Sequence, residues 1–303
     1  MKLTCSIAMA TYNGERFLQE QLDSLAIQSV LPDELVVCDD ASTDETIRIL
    51  RAFAETAPFP VRIVENQENI GVFRNFELVT KLCEKDIILF CDQDDVWHPE
   101  KIEKVMFVFE AEPEVGLVLH DLEDVDQNLN PLPASYGAWR IFNTGMNISD
   151  FPMAFQKEAI LPVLRNSLGS WHGCAMAYRR KWTSILLPFV GYHDRWILNF
   201  LPCFTRSRFL SEKLIYYRHH SNNVTAPIMG AVKKVKNSRK SFFRFIPRWW
   251  RSIKKRIGLY RVPKEKESAE LIYVRQVILE RIRTQNMNIS NQEVVQYYQQ
   301  YIL

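Results

Sequence analysis

Five short apolar runs, the first four each followed by a segment of helical period, constrain this chain more than any other feature. Leu3–Ala10, Glu34–Cys38, Val61–Val64, Ile87–Phe90 and Val115–Leu119 read as strands. Unbroken apolar runs of this length are what strands covered on both faces look like. Between them, Arg16–Gln28 carries Phe17, Leu18, Leu22, Leu25 and Ala26 at helical spacing. Ser42 with Glu45 fits a capping box, ahead of an apolar side made by Ile47, Leu50, Phe53 and Ala54. Asn69-Ile70-Gly71 leads into a helix through Phe73, Phe76, Val79 and Leu82. Strands joined by single helices imply right-handed crossovers and an α/β fold with a parallel, doubly covered sheet.

The polar residues that close these runs then meet along one rim. They are Asn13, Asp39-Asp40, Asn66 to Asn69, Asp92 to Asp95 and His120-Asp121. Such a rim supplies acceptors for a base and ribose, helix N-termini for phosphate and carboxylates for a cation. The fourth run is the most pointed. Ile87-Ile88-Leu89-Phe90 is followed at once by Asp92, Asp94 and Asp95, and Pro99-Glu100 opens a helical pattern at Ile102, Val105, Met106, Val108 and Phe109. Asp92 and Asp94, two apart, point to one side of an extended chain and repel one another unless a cation or proton intervenes. A hard divalent ion sharing phosphate oxygens suits that place. The alternative is an acidic turn, with Asp94 or Asp95 as an N-terminal helix charge. No GxGxxG follows the first strand and no GxxxxGK[ST] occurs, which argues against a dinucleotide enzyme and a P-loop ATPase.

Net charge is +2, but it is unevenly spread. Residues 226–264 hold 13 Lys or Arg and no Asp or Glu, leaving 25 basic against 36 acidic residues elsewhere. Six scattered cysteines without a CxxC pair favour reduced, buried thiols in a cytosolic setting. The first ten residues turn polar too soon for a signal peptide, and no apolar run reaches the length of a spanning helix.

From about Asp124 to Leu168 loops and short helices are expected. Trp171–Tyr178 reads as a strand rich in small residues, where Gly173 makes room for a ligand or marks a bulge. Asp194 precedes the helical run Trp196–Leu201, as a functional acid or as the N-cap. Leu214–Arg218 is strand-like and ends in His219-His220.

In this order and spacing the pieces resemble the family-2 glycosyltransferases of GT-A fold, over roughly residues 3 to 224. The matching stretches are I-A-M-A-T-Y-N-G-E-R-F-L at 7–18, L-V-V-C-D-D-A-S-T-D-E-T at 35–46 and N-I-G-V-F-R-N-F at 69–76. They continue as F-C-D-Q-D-D-V-W-H-P at 90–99, H-G-C at 172–174, H-D-R-W at 193–196 and Y-R-H-H-S-N-N-V at 217–224. The set is most similar to a bacterial branch containing rhamnosyltransferases of polysaccharide and O-antigen assembly. That branch often has Gly where this chain has Ala41, and two Trp where this chain has Arg195-Trp196.

The resemblance implies an inverting transfer from a dTDP- or UDP-linked sugar to a saccharide or lipid-linked acceptor. It implies a nucleotide-binding half of about 1–122 and an acceptor half of about 123–225. Thr11, Tyr12, Asn13, Glu15, Asp39 and Asp40 would line the base and ribose. Asn69, Gly71, Arg74, Asp92, Gln93 and Arg218 would face the rest of the donor. Asp94 would ligate Mg²⁺ or Mn²⁺, with His220 as a further metal contact. Asp194 would be the catalytic base. Trp97, Gly173, Cys174, His193 and Trp196 would meet the acceptor.

Residues 226–303 are expected to form a basic, helical extension. In 233–261 Phe242, Phe243, Phe245, Trp249, Trp250, Ile253 and Ile257 lie among the cations, which suits an anionic membrane surface at the inner face of the cytoplasmic membrane. No nucleic-acid reading motif accompanies the charge. Apolar positions from Leu271 to Ile282 suit packing on the body or pairing with a second copy. Two other readings stay open, a nucleotidyltransferase and a non-catalytic scaffold. The first lacks a Gly-rich basic loop after the first strand, where Thr11–Phe17 offers only Arg16.

Overall fold

A computed structural model describes residues 2–132, 172–189, 192–201, 205–221 and 223. The strands are β1 (Cys5–Thr11), β2 (Glu34–Asp39), β3 (Val61–Glu65), β4 (Ile87–Cys91), β5 (Val96–Trp97), β6 (Val115–Val125), β7 (Met176–Arg179) and β8 (Arg206–Arg218). The helices are α1 (Leu18–Ala26), α2 (Thr46–Thr56), α3 (Val72–Leu82), α4 (Lys101–Ala111), the short α5 (Thr183–Leu186) and α6 (His193–Phe200).

One sheet has the order β3-β2-β1-β4-β7-β6-β8-β5. The first four strands are parallel, β7 runs against both β4 and β6, β8 is parallel to β6, and β5 is antiparallel to β8. The sheet is therefore mixed beyond β4. Only Asp92–Asp95 separate β4 from β5, yet three strands lie between them in the sheet. Four strand spacings are about 19 Å, and a linker that turns at Gln93-Asp94 falls short of that, so the sheet has to curl. The curl brings its far edge back over the acidic loop.

Side chains alternate as the strand period demands. Cys5, Ile7, Met9, Leu35, Val37, Ile87, Leu89 and Cys91 enter one large core with α1, α2 and α4. Ala8, Val36, Ile88 and Phe90 are fully buried outside that cluster, on the side where Phe76 of α3 meets Phe90. Cys5, Cys38, Cys83, Cys91 and Cys174 are buried free thiols.

Several local expectations shift. No capping box forms at Ser42, because its hydroxyl is taken by Asp39 (2.6 Å) and α2 starts at Thr46, where Asp44 Oδ1 accepts the Thr46 N–H (3.0 Å). The fifth strand runs on to Val125, so His120 lies mid-strand and buried rather than at the rim. Gly173–Ala175 is a 3₁₀ turn, and the return strand is only the four residues of β7. Contacts divide the chain into Met1–Arg218 and His219–Leu303. The extension 226–303 and its stretch 233–261 lie outside the described residues.

Candidate functional site

Two interlaced loops build one side of the rim. Asp39, 1% exposed, accepts the Thr11 hydroxyl (2.8 Å), the Ser42 hydroxyl (2.6 Å) and the Ser42 N–H (2.8 Å). Asn13 accepts the Thr43 N–H at Oδ1 (2.9 Å), and Glu15 accepts the Glu45 N–H (3.0 Å). Asp40 accepts the Ile70 and Gly71 N–H groups (2.8 Å each) and the Asn66 amide (2.9 Å). Its carboxylate shapes the loop ahead of α3, where Gly71 takes φ +86°, a conformation open to glycine. Asn69 and Arg74 stay exposed on that loop and the first turn of α3.

The acidic loop is pinned from two directions. Gln93 Oε1 accepts the Tyr12 N–H (2.8 Å) and Gln93 Nε2 donates to the Tyr12 carbonyl (2.9 Å), so one amide fastens the loop to the end of β1. A Cβ on Gly14 would fall 2.4 Å from that Oε1. From the far edge comes Arg218, the last residue of β8 and 1% exposed. Its N–H donates to Asp95 Oδ1 (3.0 Å), Nε to the Asp94 carbonyl (2.8 Å), Nη1 to the Gln127 carbonyl (2.7 Å) and Nη2 to the Glu20 carboxylate (2.5 Å). The guanidinium also lies 4.5 Å from the Phe17 ring centre. The expected donor contact is thus a clamp on the loop carrying Asp94, its guanidinium spent on protein partners.

Behind the loop, donor atoms of Asp92, Asp95 and Cys174 all lie within 4.8 Å of one another. Asp95 is fully buried, and its Oδ2 has no hydrogen bond of normal geometry. Burial, then Asp94, holds the Asp92 carboxyl up at about 7, and the Asp194 charge adds to the effect. Burial, then Asp94 and Asp92, pushes Asp95 well above the carboxylate range. Lys101 is a buried cation beside them, pulled down to about 8 by burial. Its Nζ donates to the Cys174 carbonyl (2.7 Å) and sits 3.4 Å from the Trp97 ring centre. Carboxylates crowded to this degree suit a hard divalent cation; the oxygens that the structure brings together are those of Asp92 and Asp95, and the expected pairing of Asp92 with Asp94 is not what the cluster shows.

The residues expected at the acceptor are taken up by core packing. Trp97 is 1% exposed beneath Lys101, a core position with no face for a ligand. Trp196 is buried and donates Nε1 to the Leu186 carbonyl (2.8 Å). Cys174 is fully buried. His193 stacks on Phe76 (centroids 4.0 Å) and lies 4.8 Å from Phe90. Gly173 is what admits that ring, since a Cβ there would be 2.3 Å from His193 Nε2. Burial drives the His193 imidazole down to about 3, so it is neutral. Asp194 sits in the first turn of α6, whose N-cap is Tyr192, so the N-cap alternative falls. Its charge reaches Asp92. His220 belongs to the second unit, where its N–H donates to Asn223 Oδ1 (2.5 Å).

Reading the sequence misses Asp95 as a buried member of the cluster, and it misses Lys101 and Glu20 altogether. The doubled acid at 94–95 was the available signal for Asp95; a lysine at the first position of a helix carries none.

A curled, mostly parallel sheet whose strand ends converge on an acidic loop defines a GT-A type glycosyltransferase domain. The sequence profile described as Glycosyl transferase family 2 matches residues 6–184, and the chain belongs to that family. An uncharacterised protein of Mycobacterium tuberculosis is 36% identical over 225 residues, 72% of this chain and 60% of that protein. The chain thus spans about 60% of the length of such curated relatives. The dTDP-rhamnosyl transferase RfbG of Shigella flexneri is 36% identical over 102 residues, 32% of this chain and 35% of its own. Among solved structures, a mannosyltransferase from Pyrobaculum calidifontis in complex with GDP-Man and Mn²⁺ superposes with TM-score 0.52 at 16% identity. That superposition covers 97% of this chain and 78% of the other. Among the described residues no helix is long and apolar enough to cross a membrane.

Proposed function

We propose that the chain transfers a sugar, with L-rhamnose the first candidate, from a nucleoside diphosphate to a hydroxyl of a saccharide or lipid-linked acceptor, inverting the anomeric centre. The observation that supports this is the acid cluster after β4, where donor atoms of Asp92, Asp95 and Cys174 lie within 4.8 Å of one another at the strand ends. Asp194 takes the acceptor hydroxyl's proton as the new bond forms. Asp92 and Asp94 hold Mg²⁺ or Mn²⁺, which when bound offsets charge on the departing diphosphate. Gln93 and Arg218 keep that loop in place. Thr11, Tyr12, Asn13, Glu15 and Asp39 shape the base and ribose side, and Asn69, Gly71 and Arg74 the approach to the phosphates.

The rhamnosyl assignment and a part in surface polysaccharide or O-antigen synthesis rest on the partial likeness to the Shigella enzyme, whose match covers a third of either chain. Peripheral attachment to an anionic membrane through 233–261 rests on composition, and co-sedimentation with vesicles containing anionic lipid tests it.

The deciding experiment offers the full chain dTDP- and UDP-sugars with and without Mn²⁺ and follows nucleoside diphosphate release. Asp94→Ala is expected to abolish the Mn²⁺ response. Asp194→Asn is expected to lower kcat by about 10²–10⁴ with donor affinity retained. Full activity in either variant refutes the assignment.

A further inference from the structure

We infer that Phe73 and Tyr192 form a platform on which a pyranose ring of the acceptor stacks. The inference rests on the transfer reading above and names the acceptor's contact surface.

Among the described residues six large apolar side chains are exposed. Ile27, Leu31 and Phe107 stand apart from the rim: Leu31 and Phe107 line a cavity with Lys2, Leu3 and Asp33, at the opposite ends of the strands. The other three, Tyr12, Phe73 and Tyr192, are all aromatic and all at the rim. Tyr12 closes β1 on the side interlaced with the second loop. Phe73 (36% exposed) and Tyr192 (43% exposed) touch one another, centroids 4.2 Å apart and rings nearly perpendicular. In such a pair only one ring spends a face on its neighbour.

Their support is stiff. Phe73 and Phe76 lie one turn apart on α3, and Tyr192 and His193 are consecutive at the start of α6. Phe76 stacks on His193, both rings meet Phe90, and Phe90 stacks on Tyr178 (5.8 Å). The exposed pair is thus the outer end of an aromatic column rooted in the core, and little freedom is lost when something lies on it. Tyr192 is two residues from Asp194 and caps the helix that carries it. An occupant of the ledge therefore lies at the N-terminal end of the helix that carries the proposed acid.

A pyranose fits. One face of the ring is C–H and the edge is hydroxyl, so it covers apolar ring surface while its hydroxyls stay wet, the division aromatic side chains themselves favour. The residues assigned above to the acceptor are buried, and the ledge is the exposed aromatic pair at the start of the helix that carries Asp194 among the described residues.

The test is saturation-transfer NMR on the full chain with methyl and octyl pyranosides of the common hexoses and rhamnose. Wild type is expected to pass saturation to the ring protons of at least one pyranoside. Tyr192→Ala and Phe73→Ala are each expected to weaken that binding about tenfold, and Tyr192→Phe to keep it. Binding of UDP and dTDP, by thermal shift, should be unchanged in all three, and the same melts verify that the variants fold. If no pyranoside receives saturation from wild type, or if folded Ala variants bind as wild type does, the platform is refuted. A loss confined to nucleotide binding refutes it as well. Pyranoside binding without turnover of any nucleotide sugar would leave the platform standing and bring down the transfer reading instead.

Discussion

Replacing Arg218 measures how much of the site is held from the far edge of the sheet. The side chain is 1% exposed and makes two bonds to carbonyls, of Asp94 and Gln127, one to the Glu20 carboxylate, and a ring contact with Phe17. Losing the charged donor costs about 1.5 kcal/mol at each of these two part-buried bonds, and the ring contact about 1 kcal/mol. The ion pair adds little, because the Glu20 side chain is 54% exposed and returns to water. Arg218→Ala should therefore lose about 4 kcal/mol, read as a lower midpoint in urea unfolding of the full chain, or about 8–15 °C in Tm. Arg218→Lys keeps a charge but cannot span the three acceptors, and about half that loss is expected. Glu20→Gln should cost under about 1 kcal/mol. The folded fraction of Arg218→Ala should also need more Mn²⁺ for the same thermal stabilisation, since the Asp94 carbonyl is released. A loss below about 1 kcal/mol with unchanged Mn²⁺ response would refute the clamp.

Gly173→Ala places a methyl 2.3 Å from His193 Nε2, so the ring must leave its stack; a loss of about 1–3 kcal/mol in chemical denaturation is expected. His193 stays neutral down to about pH 3 when folded and takes a proton below about 6.5 when unfolded, so its contribution falls as pH drops through that window. The stability gap between wild type and His193→Gln should accordingly narrow by about 1.4 kcal/mol per pH unit below 6.5, and a gap constant to pH 5 would contradict the burial. Ala41 holds φ +61°, where a Cβ is strained, so Ala41→Gly should stabilise by about 0.5–1 kcal/mol despite the freer unfolded chain. The Tm is the readout, and a drop would count against that backbone.

The parallel half of the fold is legible in the sequence because its evidence is local. Ile87–Phe90 is apolar at every position since both of its faces are covered, and each crossover helix advertises one apolar side. Past β4 the evidence becomes non-local. β5 is two residues long and is a strand only because β8 returns beside it; β7 has four residues and runs against its neighbours. Neither length nor periodicity can announce pairings of that kind. The same distance hides the core positions: Trp97 and Trp196 look like ligand surfaces by type, and only the tertiary packing of Lys101 and Leu186 on them reveals core.

The acids make the limit sharper. Asp39-Asp40 and Asp92 to Asp95 are alike as text, short acidic runs at the ends of strands. What separates them is which groups the fold aims at each. Asp39 receives two hydroxyls and a backbone N–H, and Asp40 two backbone N–H groups and an amide, all from loops next to them in the sheet. Asp92 receives the charges of Asp94 and Asp194, and Asp95 those of Asp94 and Asp92; set against them are the Cys174 thiol, the Arg218 N–H on Asp95 and one lysine. A carboxylate given neutral donors becomes scaffold; a cluster given mainly other carboxylates stays in need of positive charge. That need, set by burial and by carboxylates of the same short loop, is what marks the loop after β4 as the place for a cation and a diphosphate.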